Sequence, residues 1–391
     1  MSIIRTKSAA ITSTMTKQKS NEFKIPLVDF SSFLALVQGS DGHKPNNNDE
    51  SESTKTMSVA QLNTVKEIDA ANRKHGFVCL RNSGISRSTL NSTFQSTQEL
   101  FHLGHDMKNN SLKQIDPKSN TGYSGFGKES LNINRKPDLK EAFNIRNESK
   151  KNGDFVGTPS AFENNSMELW DELKLLGHRF SICCAVGLGF EREYFSKTLS
   201  TMDLCTLRMS HYPPCQEDEN DDSTSVSEPI RVGEHTDFGI FTFLFVNDFH
   251  DESSHGLQVK AVEGTDLSRI STSTDKDFYV TGWKDVVFDQ ETLELIDNDE
   301  TCTVIVNTGA LMARWTNDVW RATAHRVIVS SSQARLSHRY SIAMFFDPDK
   351  ETVCSVHPNL LKNGEIEAKY PPIKSIDYLM MKLKEAQGVD N

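Results

Sequence analysis

The sequence contains no C-x-x-C pair. Its seven cysteines, at 79, 183, 184, 205, 215, 302 and 354, are odd in number and scattered. That pattern excludes a disulfide framework and a structural zinc site, and a reducing compartment is the simplest reading. Long apolar runs are missing as well. The longest nearly apolar stretch, Ile182 to Phe190, falls far short of the roughly 20 residues that span a bilayer. Basic residues are outnumbered, 43 Lys and Arg against 54 Asp and Glu, for a formal net charge of -11. Without a basic footprint the chain is not suited to nucleic acid or anionic membrane as its main partner, although a local basic pocket for a small carboxylate is still allowed. No stretch matches a secretory signal, and no internal repeat is present. The first 24 residues are rich in Ser, Thr and Lys with no acid before Glu22. They read as a disordered tail, with an organelle transit segment as the second reading. What is there is a chain of 391 residues, 36% hydrophobic and 25% charged, long enough to bury a sizeable core without staples.

Local patterns divide the chain in two. From Phe23 to about residue 200 the texture is mostly helical. Ile25-Pro26-Leu27-Val28-Asp29-Phe30 reads as a short edge strand. Ser58 with Gln61 forms a capping-box signature ahead of a helix carrying Leu62, Val65 and Ile68, with Gly76 after its end. Phe77 to Leu80 reads as a buried strand, Ser86 as the start of a second helix with Leu90, Phe94 and Phe101, and Ser166 to Gly187 as a long amphipathic one. After Asp203 strands take over: Cys205 to Tyr212, His235 to Val246, Thr301 to Asn307, His325 to Ser330 and Arg339 to Phe346. Short strands in this number suggest a sandwich or jelly roll. The polar stretch 39–56 reads as a surface loop or disordered insert, an acidic insert at 216–228 and a polar one at 250–277 interrupt the strands, and Ile373 to Gln387 reads as a terminal helix. The expected units are thus 1–24, a tail; 25–200, helices and short strands; 201–348, the strand-rich core; and 349–391, a helical extension.

His235-Thr236-Asp237 is the only H-x-D in the chain. On a strand, residues two apart share a face, so both side chains would reach one point. A second histidine completes two imidazoles and a carboxylate, the facial set that leaves open positions on non-haem Fe(II). His325, at the start of a predicted strand, is the candidate. Arg339 and Ser341 share a face of the next strand, where a guanidinium fork and a hydroxyl can grip one carboxylate. Arg208 and Tyr212 share a face just before Pro213-Pro214. Taken singly, each of these residues is as readily a structural histidine or a surface ion pair; their order along the chain is what singles them out.

At these residues the chain resembles the isopenicillin N synthase-like branch of the Fe(II)/2-oxoglutarate-dependent dioxygenases. The resemblance runs from about Ile25 to Pro348. IPLVDFS and GFVCLRNSGIS resemble the family's first two strands, and GYSGFG at Gly122 and KEAFNI at Lys140 match weaker central landmarks. HYPPC, GEHTDFGIFTFLF, GLQV, ARWTNDVWRATAHRV and RYSIAMFFDPD carry it closely in the second half. It implies a mainly β fold with α, a double-stranded β-helix (a distorted jelly roll) backed by N-terminal helices. It implies Fe(II) bound by His235, Asp237 and His325, 2-oxoglutarate held at its distal carboxylate by Arg339 and Ser341 with Tyr212 assisting, Arg208 in a supporting place, and O2 as oxidant. The outcome would be hydroxylation, desaturation or ring closure of a small molecule in specialised metabolism. His211 stands where relatives vary, and no role carries over to it. The spacing from Asp237 to His325 is long for the family; the insert before Trp283 accounts for it.

Other readings stay open at this level. An oxidase of the isopenicillin N synthase type uses no 2-oxoglutarate, and there Arg339 and Ser341 would grip the substrate's own carboxylate. Zinc on the same ligands would give a hydrolase, and a protein that keeps the fold without catalysis is a third reading. For the substrate, Tyr123, Phe126, Phe143 and Trp315 are candidates for an apolar wall, and Lys140, Arg146 and Arg314 for contacts to an acid. The expected partner is a small-molecule substrate, a carboxylic or amino acid being the candidate class, with no nucleic acid and no membrane. The protein is expected to act as a monomer in the cytoplasm unless its tail directs it to an organelle.

Overall fold

The computed structural model describes residues 22–35, 57–116, 118–128, 139–215, 230–251, 256–263, 279–329 and 331–387. In chain order the strands are β1 (Glu22–Lys24), β2 (Leu27–Asp29), β3 (Phe77–Arg81), β4 (Gly122–Ser124), β5 (Glu141–Ile145), β6 (Thr206–Tyr212), β7 (Ile230–His235), β8 (Phe241–Val246), β9 (Leu257–Glu263), β10 (Tyr279–Val287), β11 (Val304–Thr308), β12 (His325–Ile328) and β13 (Arg339–Phe346), followed by β14 (Val353–Cys354) and β15 (Ile373–Lys374). A major sheet takes the order β2-β3-β11-β8-β13-β6-β5-β4, a minor sheet the order β1-β10-β9-β12-β7, and β14 and β15 make a separate ribbon. An apolar cluster that includes Phe77, Tyr212, Val232, Val259, Ile305 and Val327 joins residues of the two larger sheets. This is the expected jelly roll, mainly β with α.

Four helices precede the strand-rich half: α1 (Val59–Lys74), α2 (Arg87–Phe101), α3 (His105–Asn110) and α4 (Ser160–Gly187). The long helix α4 packs on the major sheet, with the Phe180 ring edge-on to Phe241 and Phe243. The capping box forms as expected: the Gln61 backbone N–H donates to Ser58 Oγ and the Ser58 N–H to Gln61 Oε1. Gly76 follows the helix with φ +65, a conformation that a Cβ disfavours. Leu62 departs from expectation, being 40% exposed, while Val65, Ile68 and Ala71 are buried. Steps of three residues drift about 60° per step against a 3.6-residue turn, so the stripe rotates off the core at its first member. Helix α4 starts at Ser160, six residues before the Ser166 expected from periodicity, with Pro159 at its N-cap.

The edge strand expected at 25–30 is β2 (Leu27–Asp29), at the edge of the major sheet, and a separate strand, β1, precedes it in the minor sheet. β1 pairs with β10 and β2 with β3, and the break falls at Ile25-Pro26, where a proline cannot donate to a ladder. The 25–200 stretch is also more than a helical backing, because β2, β3, β4 and β5 all belong to the major sheet. The terminal helix runs over Ser375–Gln387, and the two residues before it form β15. The inserts at 39–56 and 216–228 lie outside the described residues, as do 252–255 and 264–277 of the third and nearly all of the 1–24 tail. No helix among the described residues is long and apolar enough to cross a membrane.

Candidate metal centre and carboxylate clamp

His235 closes β7 and His325 opens β12, and the two are direct cross-strand partners. Asp237 is not on the strand. β7 ends at His235, and the expected strand from His235 to Val246 is interrupted by a turn before β8 begins at Phe241. The Asp237 carboxylate therefore reaches the histidines through a pinned loop rather than through strand alternation. The Ala310 N–H donates to the Asp237 carbonyl at 2.7 Å and the Leu311 N–H to the Phe238 carbonyl at 3.0 Å. A close approach permits this: a Cβ on Gly309 would lie 2.2 Å from the Gly239 carbonyl oxygen, so only glycine fits.

The three donor atoms lie within 4.8 Å of one another. Asp237 Oδ1 is 3.6 Å from His235 Nε2 and 3.8 Å from His325 Nε2. These gaps are too long for good hydrogen bonds and are spanned by two metal–ligand bonds of about 2.0–2.2 Å each. The other atoms of the set are already held. His235 Nδ1 bonds the Gly233 carbonyl at 2.8 Å, and His325 Nδ1 the Thr323 carbonyl at 3.1 Å. A carbonyl only accepts, so each Nδ1 carries the proton and each Nε2 offers a lone pair. Asp237 Oδ2 accepts from Asn307 Nδ2 at 2.7 Å, which leaves Oδ1 for a cation. Burial, and then the neighbouring His325, push the His235 pKa down. Burial alone would raise Asp237, but both imidazoles and hydrogen bonds from Asn307 and Thr242 outweigh it and hold the carboxyl below its ordinary range. Two neutral imidazoles and a carboxylate are the protonation states that a divalent cation requires.

The clamp lies on β13 and β6. Arg339 pairs with Tyr212 and Ser341 with Ser210. The Arg339 guanidinium stands 5.1 Å from the Tyr212 ring centre. Arg339, Ser341 and Tyr212 are all buried, and Arg339 Nε has no hydrogen-bond partner. Arg208 lies two residues before Ser210, opposite Ala343, and its Nε donates weakly to Ser210 Oγ at 3.4 Å. In the middle of the major sheet Leu244, Ala343, Phe345 and Arg208 are partly accessible while most of their neighbours are buried. Alternation puts them on the face that carries Arg339 and Ser341. Arg208, Tyr212, Arg339 and Ser341 therefore share one face of the major sheet, and the His235, Asp237 and His325 donors converge on one point.

Asn307, which orients Asp237, escaped the sequence reading. Its only signal is a polar residue at the end of the apolar run Val304-Ile305-Val306. The substrate-wall residues do not assemble. Phe143 packs against Phe155 and Phe162, and Trp315 against Tyr194 and Phe195. Tyr123 and Phe126 border a cavity of ≈ 350 Å³ with His105, Lys108, Asn109, Gly125 and Lys128, on the helix side of the major sheet. Arg146 is tied to Thr206 Oγ1 and the Asp203 carbonyl, and Arg314 to the Pro371 carbonyl. Lys140 is buried, and its charge is felt at His235.

His211 points away from the clamp. Its Nδ1 donates to Glu141 Oε1 at 2.8 Å, and its Nε2 meets His338 Nδ1 at 2.8 Å. Glu141, 1% exposed, also accepts from Lys108 Nζ at 2.8 Å and from the Tyr123 hydroxyl.

The comparisons with known proteins identify the family. Residues 25–167 match the family described as non-haem dioxygenase in morphine synthesis N-terminal, and residues 204–348 match the 2OG-Fe(II) oxygenase superfamily. The chain belongs to the Fe(II)/2-oxoglutarate-dependent dioxygenase superfamily: it is an oxidoreductase that uses Fe(II), 2-oxoglutarate and O2. It is 27% identical over 380 residues to the 2-oxoglutarate-Fe(II) type oxidoreductase hxnY of Emericella nidulans, covering 93% of this chain and 90% of that one. It is 26% identical over 320 residues to the proline hydroxylase buaE of Petromyces alliaceus, covering 78% and 88%. Among solved structures, a full-length Neurospora crassa protein in complex with alpha-KG superposes with a TM-score of 0.67 at 28% identity, covering 92% of this chain and 95% of that one.

Proposed function

We propose that His235, Asp237 and His325 hold the iron, that Arg339 and Ser341 with Tyr212 hold the distal carboxylate of 2-oxoglutarate, and that a small acidic molecule, a carboxylic or amino acid, is oxidised over the floor made by Leu244, Ala343, Phe345 and Arg208. The observation that carries the metal assignment is the pair of Nδ1–H···O=C bonds that turn both Nε2 lone pairs toward Asp237 Oδ1. Iron in that place supplies O2 activation coupled to oxidative decarboxylation of 2-oxoglutarate to succinate and CO2. The protein's own part is orientation. Asn307 fixes which carboxylate oxygen of Asp237 faces the metal. Arg208, the cation on the accessible floor, favours a substrate with an anionic group.

Relatives support a small molecule in specialised metabolism: a proline hydroxylase is among them, and the Neurospora crassa protein was also solved with thymine and with 5-formyluracil. The oxidase that needs no 2-oxoglutarate is not favoured, because the similar proteins are 2-oxoglutarate enzymes. The test is anaerobic addition of Fe(II) and then 2-oxoglutarate to the purified chain. A saturable metal-to-ligand charge-transfer band that His235→Ala abolishes is the expected result. Stoichiometric iron binding without a band would overturn the clamp assignment, and unimpaired iron binding by His235→Ala would overturn the triad.

A further inference from the structure

Arg231, on β7, has no place in the motifs above, yet it is among the most deeply buried charges in the described protein, with 4% of its surface exposed. Its Nη2 donates to two carbonyls, Ala334 at 2.6 Å and Ser337 at 3.0 Å. Both belong to the short segment that leads into Arg339, beginning with the helix Ser332–Leu336. The Cys215 N–H donates to the Arg335 carbonyl of that segment at 2.9 Å, which closes the same end of the interior. The remaining nitrogens of Arg231, Nε and Nη1, are buried without a partner, as is Nε of Arg339.

The electrostatics are unusual for a protein interior. Burial lowers the pKa of both guanidiniums; the Cys215 side chain and then Tyr212 are favourable neighbours of Arg231, Tyr212 is one of Arg339, and Arg231 opposes Arg339. No carboxylate among the described residues pairs with either. Buried cations without counter-charge are strongly unfavourable, and two of them close together more so. A fold that keeps such a pair is balanced when an anion arrives.

We infer that Arg231 is a second cation of the co-substrate site, a positioning residue that holds the segment bearing Arg339 and adds its own charge to the pull on the distal carboxylate. This rests on the proposed clamp reading of Arg339 and Ser341. The sequence hides it because Arg231 lies on a different strand and sheet from the R-x-S pair.

The experiment is a cycle between residue and ligand on the full-length Fe(II)-loaded protein without O2, read by the charge-transfer band. The two ligands are 2-oxoglutarate and 2-oxopentanoate, which has the same chain with a methyl in place of the distal carboxylate. Arg231→Gln is expected to weaken 2-oxoglutarate about ten- to hundredfold, the range for a charge-assisted contact, and to change 2-oxopentanoate less than about twofold. Arg231→Lys, which keeps the charge but not the fork, is expected to lose less than about tenfold for 2-oxoglutarate alone. Equal losses for both ligands, or no loss for either, would overturn the inference and leave Arg231 a purely structural tie. If the Gln variant fails to fold, the Lys variant decides on the same criterion. A wild-type protein that binds both ligands equally would remove the clamp reading, and the inference with it; a wild-type preference with no change on mutation removes the inference alone.

Discussion

The two faces of β6 and β13 carry contrasting buried polar clusters. On the helix side, Glu141 takes hydrogen bonds from Lys108, Tyr123 and His211, and His211 passes its other nitrogen to His338. Every charge there has an opposite charge or a donor within the protein. On the other side, Arg339 and Arg231 have nitrogens with no hydrogen-bond partner, and Asp237 Oδ1 stands off from Nε2 of His235 and His325 at 3.6 and 3.8 Å. The charges of the first cluster are paired internally, whereas those of the second are suited to an added cation and anion, as the proposed function requires. Burial of polar groups therefore does not mark function by itself; what sets the second cluster apart is that its charges lack internal counter-charges.

The contrast can be broken or sharpened by substitution. The largest effect belongs to Asp237→Ala, which removes the anionic ligand. Turnover of 2-oxoglutarate should fall by more than about 100-fold, since even residues behind a metal ligand are worth that much, while the melting transition of the metal-free protein stays cooperative. Succinate formation persisting with added Fe(II) would contradict the assignment. Glu141→Gln comes next and acts on stability instead. Leaving Lys108 buried without its carboxylate should destabilise the fold by about 3–5 kcal/mol in denaturant unfolding, with iron and 2-oxoglutarate affinities of the folded protein unchanged. The same pair has a pH signature. Burial would raise Glu141, but its three donors outweigh that and hold its carboxyl below the ordinary glutamate value. A depressed carboxyl contributes its stability above the unfolded value and loses it as pH falls through the folded one. The gap between wild type and Glu141→Gln should therefore close in acid and stay constant from neutral pH upward.

Arg339→Ala should raise the 2-oxoglutarate concentration needed for half-maximal succinate formation by about 10- to 100-fold, with little change in unfolding. An unaltered requirement would place the clamp elsewhere. The smallest effect is expected of Tyr123→Phe, which removes one of three donors to Glu141 and leaves no orphan behind. It should lower stability by about 1 kcal/mol and leave the 2-oxoglutarate dependence untouched; a change in the latter would show that the two faces are coupled.

What the sequence disclosed follows the same division. The triad, the R-x-S pair and the capping box were legible because each is a local arrangement of specialised side chains. The loop that carries Asp237 was not, because an unbroken β pattern from His235 to Val246 hides a turn fixed by hydrogen bonds to the distant helix start at Ala310. The membership of β2 to β5 in the major sheet was equally hidden, since pairing such as Asn144 with Arg208 joins residues with no shared local signal. Large aromatics misled for a related reason. Phe143 and Trp315 follow motif positions, but their size is used in packing. Arg231 and Asn307 act through partners on other strands, and a lone polar letter in a strand does not name its partner.

β7 is the outermost strand of the minor sheet, and among the described residues its only ladder partner is β12. An edge strand held on one side opens more readily than a central one. With His235 on β7 and its cross-strand partner His325 on β12, an ion held as proposed would work as a rivet between a fraying margin and the body of the sheet. Loading with metal should therefore slow amide exchange along Ile230–His235 more than in the eight-stranded sheet, and protease nicking near this margin should report how much of a preparation has lost its iron.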